Sequence, residues 1–165
     1  MNVFEYLDSK QLKITWTLIE IGIDFIDYNY KIKIGEIKDY VYKLILAGAD
    51  DNLTDFLICD NNSYSYIGFL VQKLARAENV DLKKEKRKWV LYVVDTAASG
   101  LNENCENDEI WDFEDLYGYL DCPEDYPVKP NDGYLTREDI RTFKEQVNEW
   151  ARKETARLRE IDKAQ

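Results

Sequence analysis

The chain has 165 residues, 45% hydrophobic and 33% charged, with 33 Asp and Glu against 22 Lys and Arg and a formal net charge of −11. That is the length and balance of one ordered globular domain, and it is too acidic for a nucleic-acid binder or a protein held on an anionic membrane. There is no histidine, which excludes Ser–His–Asp triads, Cys–His nucleophiles and histidine-ligated metal centres.

No run approaches the ~18 apolar residues of a membrane span. The stretch Met1 to Ser9 carries acids where a signal peptide carries positive charge. Cys59, Cys105 and Cys122 form no Cys-x-x-Cys pair, so they read as reduced thiols of a cytoplasmic protein.

Asp8 and Ser9 can cap a first helix carrying Leu12, Trp16, Ile19 and Ile23, although the same stretch also alternates as Leu12, Ile14, Trp16 and Leu18, so its period is ambiguous. Residues 28–34 alternate Tyr28, Tyr30, Ile32 and Ile34 against Asn29, Lys31 and Lys33. That pattern predicts a short β element near residues 25–34. Ile37, Tyr40, Val41, Leu44 and Ile45 fall at i, i+3, i+4, i+7 and i+8 and predict the clearest helix, with Gly48 placed as its C-terminal cap. Leu53, Phe56 and Leu57 predict a short helix. Ile67, Leu70, Val71 and Leu74 predict another, entered through Asp60-Asn61-Asn62-Ser63.

Residues 83–88, Lys-Lys-Glu-Lys-Arg-Lys, read as the solvated first turn of a helix, because the run is short and the chain acidic. Trp89 to Val94 is continuously apolar, which periodicity alone allows as a buried strand or a helix buried all round; Ala97 and Ala98 extend it toward helix. Asn107 or Asp108 caps a helix carrying Ile110, Phe113, Leu116, Tyr117 and Leu120. Pro123, Pro127 and Pro130 then hold the chain extended. Thr136-Arg137-Glu138-Asp139 is a capping-box variant. It opens a last helix with Ile140, Phe143, Val147, Trp150, Leu158 and Ile161, whose charged second half is expected to fray or project. The fold class expected is mainly α: one domain over residues 1–165, a bundle of about six helices with the short β element.

The charge is unevenly placed. Residues 89–128 contain no Lys or Arg and eleven acids: Asp95, Glu103, Glu106, Asp108, Glu109, Asp112, Glu114, Asp115, Asp121, Glu124 and Asp125. Elsewhere acids and bases balance, so the whole net charge resides in this window. On the expected helix Asp108, Asp112, Asp115 and Tyr119 lie opposite the apolar face. Like charges at that spacing repel by a few tenths of a kcal/mol per pair. Asp108 and Glu109 regain some of this at the helix N-terminus, whereas Asp112 and Asp115 do not. A face that costs folding stability is a candidate for binding something positive. The candidate partner-binding residues are Asp108, Glu109, Trp111, Asp112, Asp115, Tyr119, Asp121, Glu124 and Asp125. Trp111, Tyr117, Tyr119 and Tyr126 supply aromatic anchors, Tyr117 being equally placed for the core. The other interpretation of the window is a merely solvated acidic face.

Neither Asn102–Phe113 nor Asp50–Asn61 fits an EF-hand loop. The seven glycines are scattered, so there is no phosphate-cradling loop, and no carboxylate pair stands out for glycoside hydrolysis. Acid surroundings raise the pKa of a thiol such as Cys122, which suits a structural role. No catalytic residue, metal or cofactor is expected, and the chain is not expected to be an enzyme. The alternatives are a carboxylate- or metal-dependent hydrolase and an acidic regulatory subunit of some other basic protein.

Trp16-Thr17-Leu18-Ile19 leading to Gly22-Ile23, the helix from Ile37 to Leu46 ending at Gly48, Arg87-Lys88-Trp89 opening an apolar segment, and Leu116-Tyr117 leading to Cys122-Pro123-Glu124-Asp125 come in a recognisable order. Over roughly residues 12–126 this order resembles an uncharacterised family of small bacterial proteins, a domain of unknown function. The resemblance implies a mainly helical fold, favouring helix for Trp89 to Val94. It also implies a cytoplasmic immunity protein, of the type found beside polymorphic or contact-dependent inhibition toxins. Its partner would be a cognate toxin domain, with neither nucleic acid nor membrane involved, and the family offers no catalytic residues to carry over.

Overall fold

The computed structural model describes residues 1–49, 53–60, 63–101, 120, 125–127 and 137–164. All regular structure among the described residues is helical: α1 (Val3–Ser9), α2 (Trp16–Asp24), α3 (Ile34–Leu46), α4 (Thr54–Ile58), α5 (Tyr64–Ala77), α6 (Leu82–Gly100) and α7 (Arg137–Lys163). The chain is mainly α, as its periodicity predicts. It divides into two compact units, residues 1–85 and 86–165, the division falling within α6.

In the first unit helix starts are fixed by side chains that satisfy orphan backbone donors. Asn2 Oδ1 accepts the Glu5 N–H at 2.9 Å, and Glu5 returns the favour to the Asn2 N–H. Thr15 Oγ1 accepts the Leu18 N–H at 3.1 Å and donates its own proton to Glu85 at 2.7 Å. Two helices end alike. At α3, Gly48 adopts φ +90°, its N–H reaches Ile45 O, and the Ala49 N–H reaches Leu44 O. At α1 the same pair of bonds runs from Gln11 to Asp8 and from Leu12 to Leu7, with Gln11 at φ 53°. Both are Schellman motifs, the second one built on a residue that pays for the left-handed conformation.

The interior of this unit draws on Tyr6 and Leu7, Leu18 and Ile19, Ile37 and Val41, and Ile67 and Val71, all nearly inaccessible. A row of aromatic contacts joins α1 to α4: Phe4 stacks on Tyr40 at 4.7 Å, Tyr40 meets Trp16 edge-on at 6.3 Å, and Trp16 stacks on Phe56 at 5.4 Å. α2 packs along α5, and α3 against α4.

The second unit pairs α6 with α7. Lys88, early in α6, meets Asp162 near the end of α7 at 2.9 Å, while Lys144 donates to Leu101 O, just past the end of α6, at 2.6 Å. The two helices therefore run antiparallel. Trp89 to Val94 are buried all round, which resolves that segment as helix. Along α7 the residues Ile140, Phe143, Val147, Trp150, Ala151, Glu154 and Leu158 are buried, a stripe at helical spacing. The charged second half of α7 thus carries Leu158 at 0% exposure and an ion pair at Asp162.

Three sequence expectations are corrected. Residues 25–34 form no β element. Tyr30 and Lys31 donate to Asp27 O, and Asn29 donates to the Asp27 side chain, a tight turn. The alternation of that segment is not one-sided either, since Tyr28 is 70% exposed and Ile32 is 1% exposed. The first helix does not begin after Asp8 and Ser9. These residues end α1, and Thr15 opens α2. The run 83–88 is not a solvated turn, because Lys84, Glu85 and Lys88 are buried. The helix expected near residues 107–120, apart from Leu120, and Thr136 of the expected cap lie outside the described residues.

Candidate partner-binding site

Of the nine candidate residues, Asp108, Glu109, Trp111, Asp112, Asp115, Tyr119, Asp121 and Glu124 lie outside the described residues. Asp125 is described, and its surroundings can be built from the helices upward. Arg87 stands on the first turns of α6. Its guanidinium donates to Glu154 of α7 through Nε at 2.5 Å and a terminal nitrogen at 2.7 Å, a fork matched to a carboxylate. The same terminal nitrogen reaches both Asp125 oxygens, at 3.2 and 3.3 Å. Glu154 is almost wholly buried, whereas the Asp125 side chain is 59% exposed. The hydrogen bond to Glu154, and then the nearby negative charge, hold Arg87 still more firmly protonated than usual.

Beside Asp125 the chain is anchored through an aromatic contact. Tyr126 is buried and meets the Trp150 ring edge-on at 5.2 Å. Leu120 is buried as well. Asp125, Pro127, Glu149, Trp150, Lys153 and Arg157 are among the residues around a cavity of about 450 Å³. The carboxylates here are occupied: Glu149 pairs with Lys153 at 2.6 Å, which holds its carboxyl below the ordinary value, and Glu154 with Arg87. Among the described residues no group of three or more His, Cys, Asp or Glu side chains is placed to hold a metal ion.

Two of the eleven acids in the window are therefore not free surface charge. Asp125 has a counter-ion from outside the window, and Asp95 is buried on α6. The sequence reading missed the basic side of this arrangement. The signal was present: Lys84, Lys88, Leu91, Asp95 and Ala98 fall at i, i+4, i+7, i+11 and i+14, one buried stripe of α6. Extending the apolar period of Trp89 to Val94 backwards would have placed two lysines in the interior.

The class defined so far is an all-helical chain, among its described residues, with ion-paired carboxylates where an acidic segment joins a helical pair. No described helix is long and apolar enough to cross a membrane. The chain belongs to the family described as uncharacterized protein conserved in bacteria (DUF2247), whose model matches residues 4–158. This agrees with the order of motifs read from the sequence. No curated protein and no solved structure matches the chain.

Proposed function

We propose that the chain is a cytoplasmic bacterial immunity protein, which binds a cognate toxin domain and neutralises it by stoichiometric occlusion, without catalysis. The toxin domain would be basic and of nuclease type, since a surface that binds nucleic acid must itself be positive. The observation that carries this reading is the window 89–128, with eleven acids and no base. The nine acids other than Asp95 and Asp125 supply an excess of negative charge for a basic partner. Such complementarity speeds encounter and repels wrong partners, and it weakens with salt. Asp108, Asp112 and Asp115 would supply charge, and Trp111 and Tyr119 contact area.

Affinity capture of the tagged chain from its source lysate at low salt, with elution in salt steps, tests the reading. A single basic polypeptide retained in stoichiometric amount, released only at high salt and toxic when expressed without this chain, is the expected result. A capture that retains nothing stoichiometric overturns it.

A further inference from the structure

The first unit holds an open groove between α2 and α5, of about 270 Å³. Ile23 and Val71 are its buried floor. Glu20 and Asp24, one helical turn apart on α2, line one side, and Gly68 and Phe69 of α5 the other. Three of these residues run against what folding favours. Glu20 and Asp24 are like charges at i, i+4, which repel. Asp24 is also the last residue of α2, where the helix dipole disfavours an anion, and no base stands in that turn. Among the described residues neither carboxylate is paired with a cation. Gly68 lies mid-helix, where glycine costs stability relative to alanine. No close approach demands it, since a Cβ there would meet nothing within 4 Å. Phe69 is 60% exposed at the groove edge.

Each feature makes sense with a cation on a slender apolar stem in the groove. Two acidic residues and an aromatic one line it, an apolar floor takes the methylenes, and the missing side chain at residue 68 leaves room. The volume falls just short of the roughly 300–1,000 Å³ typical of small-molecule pockets, and it suits one long side chain. Arginine meets carboxylate and ring together better than lysine does, being planar and weakly hydrated. We propose that the α2–α5 groove is a docking slot for an arginine side chain presented by a basic protein partner, its guanidinium held by Glu20 and Asp24 beside Phe69. The inference deepens the reading of a basic partner and rests on it for the nature of that partner. The site itself lies in the other unit from the acidic window.

The test is a titration of the ¹⁵N-labelled full chain with acetyl-Gly-Arg-Gly-amide at low salt, followed by amide chemical shifts. The expected result is a set of shifts centred on residues 20–24 and 65–72. The citrulline peptide, which keeps the shape without the charge, should bind at least about tenfold more weakly. Gly68→Leu, which fills the groove, should abolish the shifts, and Gly68→Ala, which takes up less of it, should weaken them. Should Gly68→Leu misfold, Glu20→Gln/Asp24→Asn supplies the same loss without steric change. The proposal is overturned by no shifts, by shifts equal for the citrulline peptide, by shifts that persist in the charge-neutral variant, or by groove resonances that move with chain concentration alone, as a second copy would cause. Shifts confined to residues 103–125 also overturn it, yet leave the acidic window standing as a binding surface. Failure of the lysate capture instead counts against the toxin-binding reading and does not alter this titration.

Discussion

The two units differ in where they keep apolar and charged side chains. Among the described residues, every exposed large hydrophobic side chain belongs to the first unit, including Ile26, Tyr28, Ile58, Tyr66 and Phe69. The second unit takes charge inside between its two helices, with the Lys88 side chain at 0% exposure against Asp162 and with Glu154 enclosed by Arg87; among the described residues of the first unit, buried charge is confined to its last turn, where Lys84 and Glu85 pair at 3.3 Å. Buried pairs contribute little net stability over an apolar equivalent, because desolvation offsets the attraction, but breaking one leaves an uncompensated charge. Exposed apolar groups are the reverse: removing them costs folding little. The second unit is therefore sensitive to substitution where it is charged, and the first unit is free to vary where it is greasy, which is what a surface kept for contact allows.

The comparison breaks first at Lys88. Lys88→Ala should destabilise the second unit by about 3–5 kcal/mol in urea unfolding, whereas Lys88→Met/Asp162→Leu should recover most of that loss. A single variant as stable as wild type would remove the distinction between the units. Next comes a pH effect in the first unit. Burial, and then the charge of Glu78, push the Tyr40 hydroxyl up from 10.0 to about 12. The neutral phenol is thus favoured in the folded state. The stability this provides is complete below pH 10 and drains away as pH rises toward 12, because the unfolded chain releases the proton first. Tyr40→Phe should flatten that decline in a series of melts. Gln11→Gly should stabilise the first unit by about 1 kcal/mol, by relieving the left-handed residue at the end of α1. Gly68→Ala should add about 0.5–1 kcal/mol. The smallest effect is expected for Phe69→Ser, within about 0.5 kcal/mol of wild type in thermal unfolding. A large loss there would show that Phe69 supports the fold.

Legibility followed the strength of local signals. α3 was readable because Ile37 and Val41 repeat on one face and Gly48 is the residue a left-handed C-terminal cap favours. The end of α1 was not, because Gln11 takes the same conformation without being a residue that advertises it. Residues 28–34 alternate in hydropathy, but a tight turn at Asp27 disposes Tyr28 outward and Ile32 inward, and alternation has no meaning without a neighbouring strand. The lysines at 84 and 88 misled because composition places lysine in water, while their partners, Glu85 aside, lie far away in sequence. For the candidate site the sequence supplied the acidic window. It did not supply the counter-ion of Asp125, which comes from a residue 38 positions earlier. The groove at Gly68 was hidden because its two walls meet only in the folded unit.

The carboxylate of Glu78 accepts the Trp16 and Thr17 N–H groups, both at 2.9 Å, across 62 and 61 residues. Thr15 likewise waits for Glu85. As the chain leaves the ribosome, α2 emerges with bare amide groups and no anion to meet them. At roughly 5–20 residues per second, several seconds of synthesis separate Trp16 and Thr17 from Glu78, Thr15 being the one cap made at once. A nascent chain stalled short of residue 78 should therefore be more open to protease between α1 and α3 than one carried past residue 85.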